Sequence, residues 1–328
     1  MINVAVIGVG NIGKHHARVY SSIEECRLAA VCDLNEKTGR EIAERFNTVF
    51  YRDYSEMLDR EIIDAVSIAV PTSLHRNVAL YCIERGKHVL VEKPLADTLE
   101  SARAVMRAAE ENKVNLAVGH IERFNPAVRK LGEIIKKGEL GKVTTIIARR
   151  VGTVPPQIRD SNVIVDTAIH DIDIFSYLLG KQPRVVQAVA GRAILRQRDD
   201  YADVLLRYDG TNGFIQVNWI TPVKIRNLAV TGTKGYAELN YITQELVLYK
   251  SDYMPIDDFS DVVRFGTPEK TKIDIEHAEP LELELRSFIN SVKHKSRPEV
   301  SGEEGISALE TAMRIIDCSD NHKSQKDS

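Results

Sequence analysis

Within its first 120 residues the chain alternates short, β-branched apolar runs with amphipathic segments, and this rhythm restricts the fold more than any other feature. Val4-Ala5-Val6-Ile7 precedes a helical stretch from Ile12 to about Ser21, and Leu28-Ala29-Ala30-Val31-Cys32 precedes another through Glu36 to Phe46. Ala65-Val66-Ser67-Ile68-Ala69-Val70 leads to a helix from about Leu74 to Arg85, and Lys87-His88-Val89-Leu90-Val91 to one from Leu99 to Asn112. Asn115-Leu116-Ala117-Val118 closes the series. Strands that are apolar throughout are buried on both faces, and strands separated by helices pair in parallel. The first domain, residues 1–120, is therefore expected to be a doubly wound parallel α/β sheet, a Rossmann fold.

Beyond Gly119 the rhythm changes, and residues 121–328 are expected to form a second, α+β domain. Helices are read over Pro126 to Lys137 and Ile164 to Leu179, with a strand from Val143 to Ala148 between them. Strand-like runs then follow without helices: Val185 to Ile194, Ala202 to Tyr208, Gly213 to Ile220, Asn227 to Thr231 and Tyr236 to Tyr249. That pattern fits a large mixed or antiparallel sheet with helices on one side. In the run Phe214 to Ile220, Ile215, Val217 and Trp219 share one face, while Phe214 and Ile220 alternate with Gln216 and Asn218 on the other. A half-apolar face of this kind suits contact with another subunit. Helices from Leu281 to Lys293 and Gly302 to Cys318 end the pattern, and the polar Ser319 to Ser328 is expected to fray.

Composition removes several function classes. With 43% hydrophobic and 28% charged residues over 328 positions, the chain reads as an ordinary globular enzyme of two domains. A net charge of -3 gives no basic excess for nucleic acid, and no apolar run reaches membrane-spanning length. Cys26, Cys32, Cys82 and Cys318 lie far apart without a CxxC pair, so neither a metal site nor a disulfide framework is expected, and a cytoplasmic location with reduced thiols is.

Three signatures carry chemistry. In Gly8-Val9-Gly10-Asn11-Ile12-Gly13 the glycines follow a strand directly and open a helix. Glycine triplets also mark ordinary turns. In this context, however, Gly8 permits the turn, Gly10 lets the backbone approach a pyrophosphate, and Gly13 lets helix and strand pack. The loop residues Asn11 and Ile12 belong to the same cofactor-binding stretch, where a helix N-terminus offers free N–H groups. Asp33, twenty residues after Gly13, stands where a carboxylate accepts from a ribose 2′-hydroxyl and repels a 2′-phosphate, which favours NAD over NADP. Pro71, Thr72 and His75 lie on the same ligand-binding edge, although Thr72 could equally cap a helix and His75 be solvated. Glu92-Lys93-Pro94 ends a core strand, and Pro94 restricts Lys93 to extended backbone. Asp166 and His170 fall one helical turn apart on one face, a spacing that also suits a dipole partner and a core histidine.

Together with His16 and Gly86-Lys87-His88, these motifs closely resemble the Gfo/Idh/MocA family of oxidoreductases along essentially the whole chain. The resemblance implies an NAD-binding Rossmann domain, a C-terminal α+β domain whose open-faced sheet is covered in a homodimer or homotetramer, and Lys93, Asp166 and His170 gathered at a sugar hydroxyl. A narrower resemblance lies in Gly119-His120-Ile121-Glu122-Arg123-Phe124-Asn125-Pro126 and in Arg149 to Gly152, Pro155-Pro156 and Arg159 to Asp173. It points to the branch that oxidises the C3 hydroxyl of UDP-N-acetylglucosamine, a nucleotide-sugar substrate. Either His170, whose reference pKa is about 6.5, or a Lys93 of lowered pKa would take the hydroxyl proton. Arg123, Asn125 and Arg159 are the candidates for substrate hydroxyls or diphosphate, with a surface ion pair as the alternative for each arginine. Two other readings stay open: a dehydrogenase of a free polyol such as inositol, and a non-catalytic NAD-binding regulator on the same fold.

Overall fold

A computed structural model describes residues 1–154, 161–255 and 263–324. The chain divides into two compact units, and the first comprises Met1–Ile121 together with Glu279–Glu310. Its elements run β1 (Ile2–Ile7), α1 (Gly13–Tyr20), β2 (Cys26–Cys32), α2 (Glu36–Arg45), β3 (Val49–Tyr51), α3 (Tyr54–Arg60), β4 (Ala65–Ile68), α4 (Thr72–Ile83), β5 (His88–Glu92), α5 (Leu99–Glu111) and β6 (Leu116–Gly119). All six strands are parallel in the order β3-β2-β1-β4-β5-β6. The order reverses between β1 and β4, and ligands of open parallel sheets bind in the crevice that such a reversal leaves at the carboxyl ends of the strands.

The second unit takes in the described residues of 122–278 and those from Thr311 on. After a 3₁₀ turn at Ile121–Phe124 come α6 (Pro126–Lys136), β7 (Val143–Thr153), a π-helical turn at Ile164–Ala168 and α7 (Ile169–Leu179). The strands β8 (Arg184–Gly191), β9 (Tyr201–Tyr208), β10 (Thr211–Asn218), β11 (Ile220–Gly232), β12 (Gly235–Asn240), β13 (Glu245–Lys250), β14 (Tyr253–Pro255), β15 (Val263–Phe265) and β16 (Glu269–Lys272) follow. Seven of them join β7 in one eight-stranded sheet in the order β16-β13-β12-β11-β7-β10-β9-β8, antiparallel except for β10 on β7. Ile215, Val217 and Trp219 are buried beneath its covered face, while Phe214, Ile147 and Val189 stand exposed on the other. Phe214 lies directly opposite Ile147 across the β10–β7 pair, so the exposed apolar groups adjoin one another.

Three sequence expectations change. The run Tyr236 to Tyr249 is two strands, because Asn240 Oδ1 accepts from the Ile242 and Thr243 amides and turns the chain, with Gln244 at φ 53°. The tail does not fray at Ser319: α9 (Gly302–Ser324) continues through it, and its hydroxyl accepts the Ala190 amide at 3.0 Å. Nor is the second domain one continuous segment 121–328. The helix α8 (Pro280–His294) returns to the first unit, where Leu281, Leu285, Phe288, Ile289 and Val292 pack with Val4, Val6, Ala17 and Tyr20 in one core cluster. An amphipathic helix must bury its apolar stripe somewhere, and the β1–α1 face supplies that surface. Phe288→Ala should therefore destabilise the first unit by about 3–5 kcal/mol, read as a loss in urea-unfolding free energy that bound NAD partly offsets; an unchanged midpoint would contradict this packing.

Candidate active site

The cofactor loop is shaped by what its glycines touch. Gly8 has φ 85°, and a Cβ there would lie 2.7 Å from the Ala69 carbonyl oxygen; at Gly13 a Cβ would fall 1.7 Å from the Gly8 carbonyl oxygen. Both glycines are thus demanded by the protein's own packing, which joins the β1 and β4 loops at the sheet's switch point. At Gly10 a Cβ would meet nothing within 4 Å, and Asn11 and Ile12 beside it are exposed. The loop is therefore packed behind and open in front, the form a pyrophosphate on a helix N-terminus requires. Asp33 stands at the end of β2, where its carboxylate accepts the Val9 and Asn35 amides, each at 2.8 Å. These bonds hold it against the glycine loop. Pro71 is exposed and Thr72 half-buried at the start of α4.

The side chains of His75 and Glu92 are engaged by the protein's own groups. His75 is 1% exposed, its Nδ1 2.9 Å from the Pro94 carbonyl oxygen and its Nε2 2.9 Å from that of Val70. Burial pulls its pKa below the ordinary histidine value against the pull of the two carbonyls. It ties the end of β4 to the Lys93-Pro94 turn rather than reaching a ligand. Glu92 meets buried His16 of α1 through Oε1 at 3.0 Å, and its Oε2 accepts the Lys93 amide at 3.2 Å. Burial works to raise its pKa, but His16 and Lys93 hold it below the usual carboxylate value. Glu92 therefore couples the cofactor helix to the backbone of Lys93, and His16 is a participant that the motif contained without an assigned role. Lys93 itself is half-buried at the carboxyl end of β5. At the end of β2, burial pushes the Cys32 thiol up to about 12, which disfavours the thiolate.

In the second unit Asp166 lies in the π turn and His170 in the first turn of α7, both half-buried. Asn162 opens this segment, its Oδ1 accepting the Ile164 and Val165 amides, each at 3.0 Å. The Ile169 amide reaches back to the Ile164 carbonyl, the widened spacing of a π turn, a feature that recurs at functional sites. Thr167 donates to Asp166 Oδ2 at 3.2 Å.

Arg123 and Asn125, expected to meet substrate, hold the scaffold. The Arg123 Nε and Nη2 donate to the two oxygens of Asp173 at 2.7 and 2.6 Å, and the guanidinium lies over Tyr177. Asn125 caps α6 through the Ala127 amide and donates to the Tyr241 carbonyl oxygen at 3.0 Å. Arg150 repeats the fork on Asp171 at 2.9 and 3.1 Å and adds Glu122 at 2.8 Å. Burial opposes its charge, yet Asp171 and Glu122 raise its pKa well above the ordinary arginine value. Arg159 lies outside the described residues. Among those described, no cluster of three or more His, Cys, Asp or Glu could hold a metal ion, and no helix is long and apolar enough to cross a membrane.

Comparison with known proteins agrees with this arrangement. Residues 2–120 match the oxidoreductase family with an NAD-binding Rossmann fold, and residues 128–238 match the GFO/IDH/MocA C-terminal domain. The chain belongs to the Gfo/Idh/MocA family of NAD-binding oxidoreductases. It is similar to UDP-N-acetylglucosamine 3-dehydrogenase of Acidithiobacillus ferrooxidans, 27% identical with 96% of each chain covered, and to that enzyme's solved structure with a TM-score of 0.83. It is also similar to myo-inositol 2-dehydrogenase of Thermotoga maritima, 29% identical over 94% of this chain and 93% of the relative. To the NAD-dependent scyllo-inositol 2-dehydrogenase of Bacillus subtilis it is 31% identical, over 83% of this chain and 90% of the relative.

The NAD site yields a direct expectation. Asp33→Ala removes the acceptor of the Val9 amide and the carboxylate expected to accept from a ribose hydroxyl, so titration should show NAD affinity falling about tenfold while NADP affinity holds or improves. Equal affinities of the unmodified protein for the two cofactors would overturn the role of Asp33.

Proposed function

We propose that this protein oxidises the C3 hydroxyl of a UDP-linked N-acetylated sugar, UDP-N-acetylglucosamine, to the 3-keto sugar. The observation that carries the reading is the end-to-end similarity to the Acidithiobacillus enzyme, 96% of each chain at 27% identity. A free polyol is the second reading, favoured by inositol dehydrogenases at 29% and 31% identity. A cytoplasmic location accords with four free cysteines, three of them buried.

The chemistry follows from the groups. Bound NAD supplies a hydride acceptor at its nicotinamide ring. Removing hydride from a carbinol carbon requires the hydroxyl proton to leave as well, and His170 is assigned as its acceptor. Asp166 orients the imidazole or the substrate. Lys93 supplies positive charge for the developing alkoxide, which a fixed ammonium stabilises better in a site shielded from water. Arg159 is assigned to the diphosphate, whose geometry a guanidinium fork matches. Binding energy from the uridine and diphosphate would then hold the C3 hydrogen in place for transfer, so a truncated sugar loses rate as well as affinity.

NADH formation should be measured with UDP-N-acetylglucosamine, free N-acetylglucosamine and myo-inositol. Turnover is expected only with the first, and Lys93→Ala should lower it about 100-fold or more while NAD affinity stays within a few fold. If myo-inositol reacts as well as the nucleotide sugar, the substrate reading fails and the polyol reading takes its place.

The open sheet face is proposed to be covered by a second copy of the chain in a homodimer or homotetramer. Exposed Phe214, Ile147 and Val189 supply its apolar groups, and Arg149, Gln216 and Asp203 form a hydrogen-bonded row beside them. Phe214→Arg would put like charges face to face about a twofold axis, and light scattering should show the mass fall to that of the monomer. A monomeric unmodified protein would refute the assembly.

A further inference from the structure

We infer that Thr167 and Trp219 are positioning residues for Asp166, joined to it in a hydrogen-bond relay that fixes the carboxylate in the direction substrate requires. The inference rests on the reading above in one respect, that Asp166 meets the substrate.

The relay has a defined polarity. Trp219 Nε1 lies 3.0 Å from Thr167 Oγ1, which lies 3.2 Å from Asp166 Oδ2. An indole nitrogen only donates and an ionised carboxylate only accepts, so the hydroxyl between them must accept from Trp219 and donate to Asp166. Thr167 is 5% exposed and Trp219 4%, which keeps water from the bond between them. Adjacent residues on a helix do not ordinarily face each other, so a bond between neighbouring side chains here needs an added constraint. A helical threonine more often returns its hydroxyl to a carbonyl one turn back. Here the indole holds it on the carboxylate.

The donor end is anchored independently of Asp166. The Trp219 amide donates to the Asp200 carbonyl oxygen at 2.8 Å. The Asp200 carboxylate in turn accepts the amides of Ala193 at 2.8 Å and of Ile194 and Leu195 at 2.7 Å each. Arg198 lies over the indole, 5.7 Å from the ring centroid. Trp219 thus stands at the junction of β10 and β11, its amide tied to the Asp200 carbonyl at the end of the β8–β9 loop, and reaches the π turn from outside it. The relay thus links one Asp166 oxygen, through Thr167, to an indole that does not belong to the same helix.

The test uses Thr167→Val, which removes both the donor and the acceptor at nearly constant volume, Thr167→Ser, which restores them, and Trp219→Phe. The substrate is whichever of UDP-N-acetylglucosamine and myo-inositol the unmodified protein oxidises, with circular dichroism and NAD titration as controls for folding. Thr167→Val should lower kcat about tenfold or more at unchanged NAD affinity, Thr167→Ser should recover to within about threefold, and Trp219→Phe combined with Thr167→Val should be no slower than Thr167→Val alone. Full activity in Thr167→Val overturns the relay, as does a Thr167→Ser as slow as the valine variant, since packing alone would then explain the loss. Asp166→Asn separates the two levels: if that variant keeps its turnover, or if neither substrate reacts, the catalytic assignment of Asp166 falls and the relay falls with it. If Asp166→Asn is inactive while Thr167→Val is normal, only the relay falls.

Discussion

The second unit is organised by two carboxylates of α7, Asp171 and Asp173, each of which grips a buried arginine by both oxygens. Successive residues of an α-helix are rotated by about 100°, so the two clamps leave the helix about 200° apart. One reaches Arg150 in the sheet and the other Arg123 in the turn before α6. A helix held on two nearly opposite flanks cannot rotate without breaking a paired charge, and removing one partner of a buried pair costs about 3–5 kcal/mol because the other is left uncompensated. Such pairs add little net stability over apolar packing. Their consequence is orientation, and His170 stands immediately before the first clamp.

The first unit solves the same problem with weaker groups. Lys93 follows Glu92, whose carboxylate takes the lysine's own amide and the imidazole of His16, while His75 holds the carbonyl of the next residue, Pro94. The side chains of Glu92 and His75 therefore fix the backbone around Lys93, and His16 holds the Glu92 carboxylate in place. Because His16 belongs to the helix that opens at the glycine loop, its contact with Glu92 ties the strand end carrying the lysine to that helix. In both units the side chains proposed for chemistry are flanked by neighbours whose polar atoms are engaged by the scaffold.

That division explains what could be read from the sequence. The parallel sheet was legible because burial on both faces leaves continuous apolar runs, and the glycine loop because its demands are local: a Cβ at Gly13 would collide with the Gly8 carbonyl, and Val9 meets Asp33 only 24 positions away. The three-residue β3 and the short α3 escaped detection, since neither is long enough to establish a period. Within the run Tyr236 to Tyr249 the turn was hidden by an Asn240 side chain acting where a glycine or proline would have announced itself. The apolar stripe of α8 was plain, but nothing in an amphipathic pattern says which surface will cover it.

The site residues were harder for a chemical reason. A guanidinium fork fits a carboxylate as well as it fits a diphosphate, so Arg123 reads identically whether its partner is a ligand or Asp173, 50 residues on. The same ambiguity holds for Asn125, whose partner Tyr241 is 116 residues away, and for His75, whose two nitrogens meet main-chain carbonyls that no motif records. A short motif therefore reports that a polar group is required at a position without reporting which way it faces. Around Asp166 the difference is sharpest. The aspartate and histidine stand out by spacing, whereas the threonine beside them looks like a neutral helix residue until the indole of Trp219, 52 positions later, gives its hydroxyl a direction.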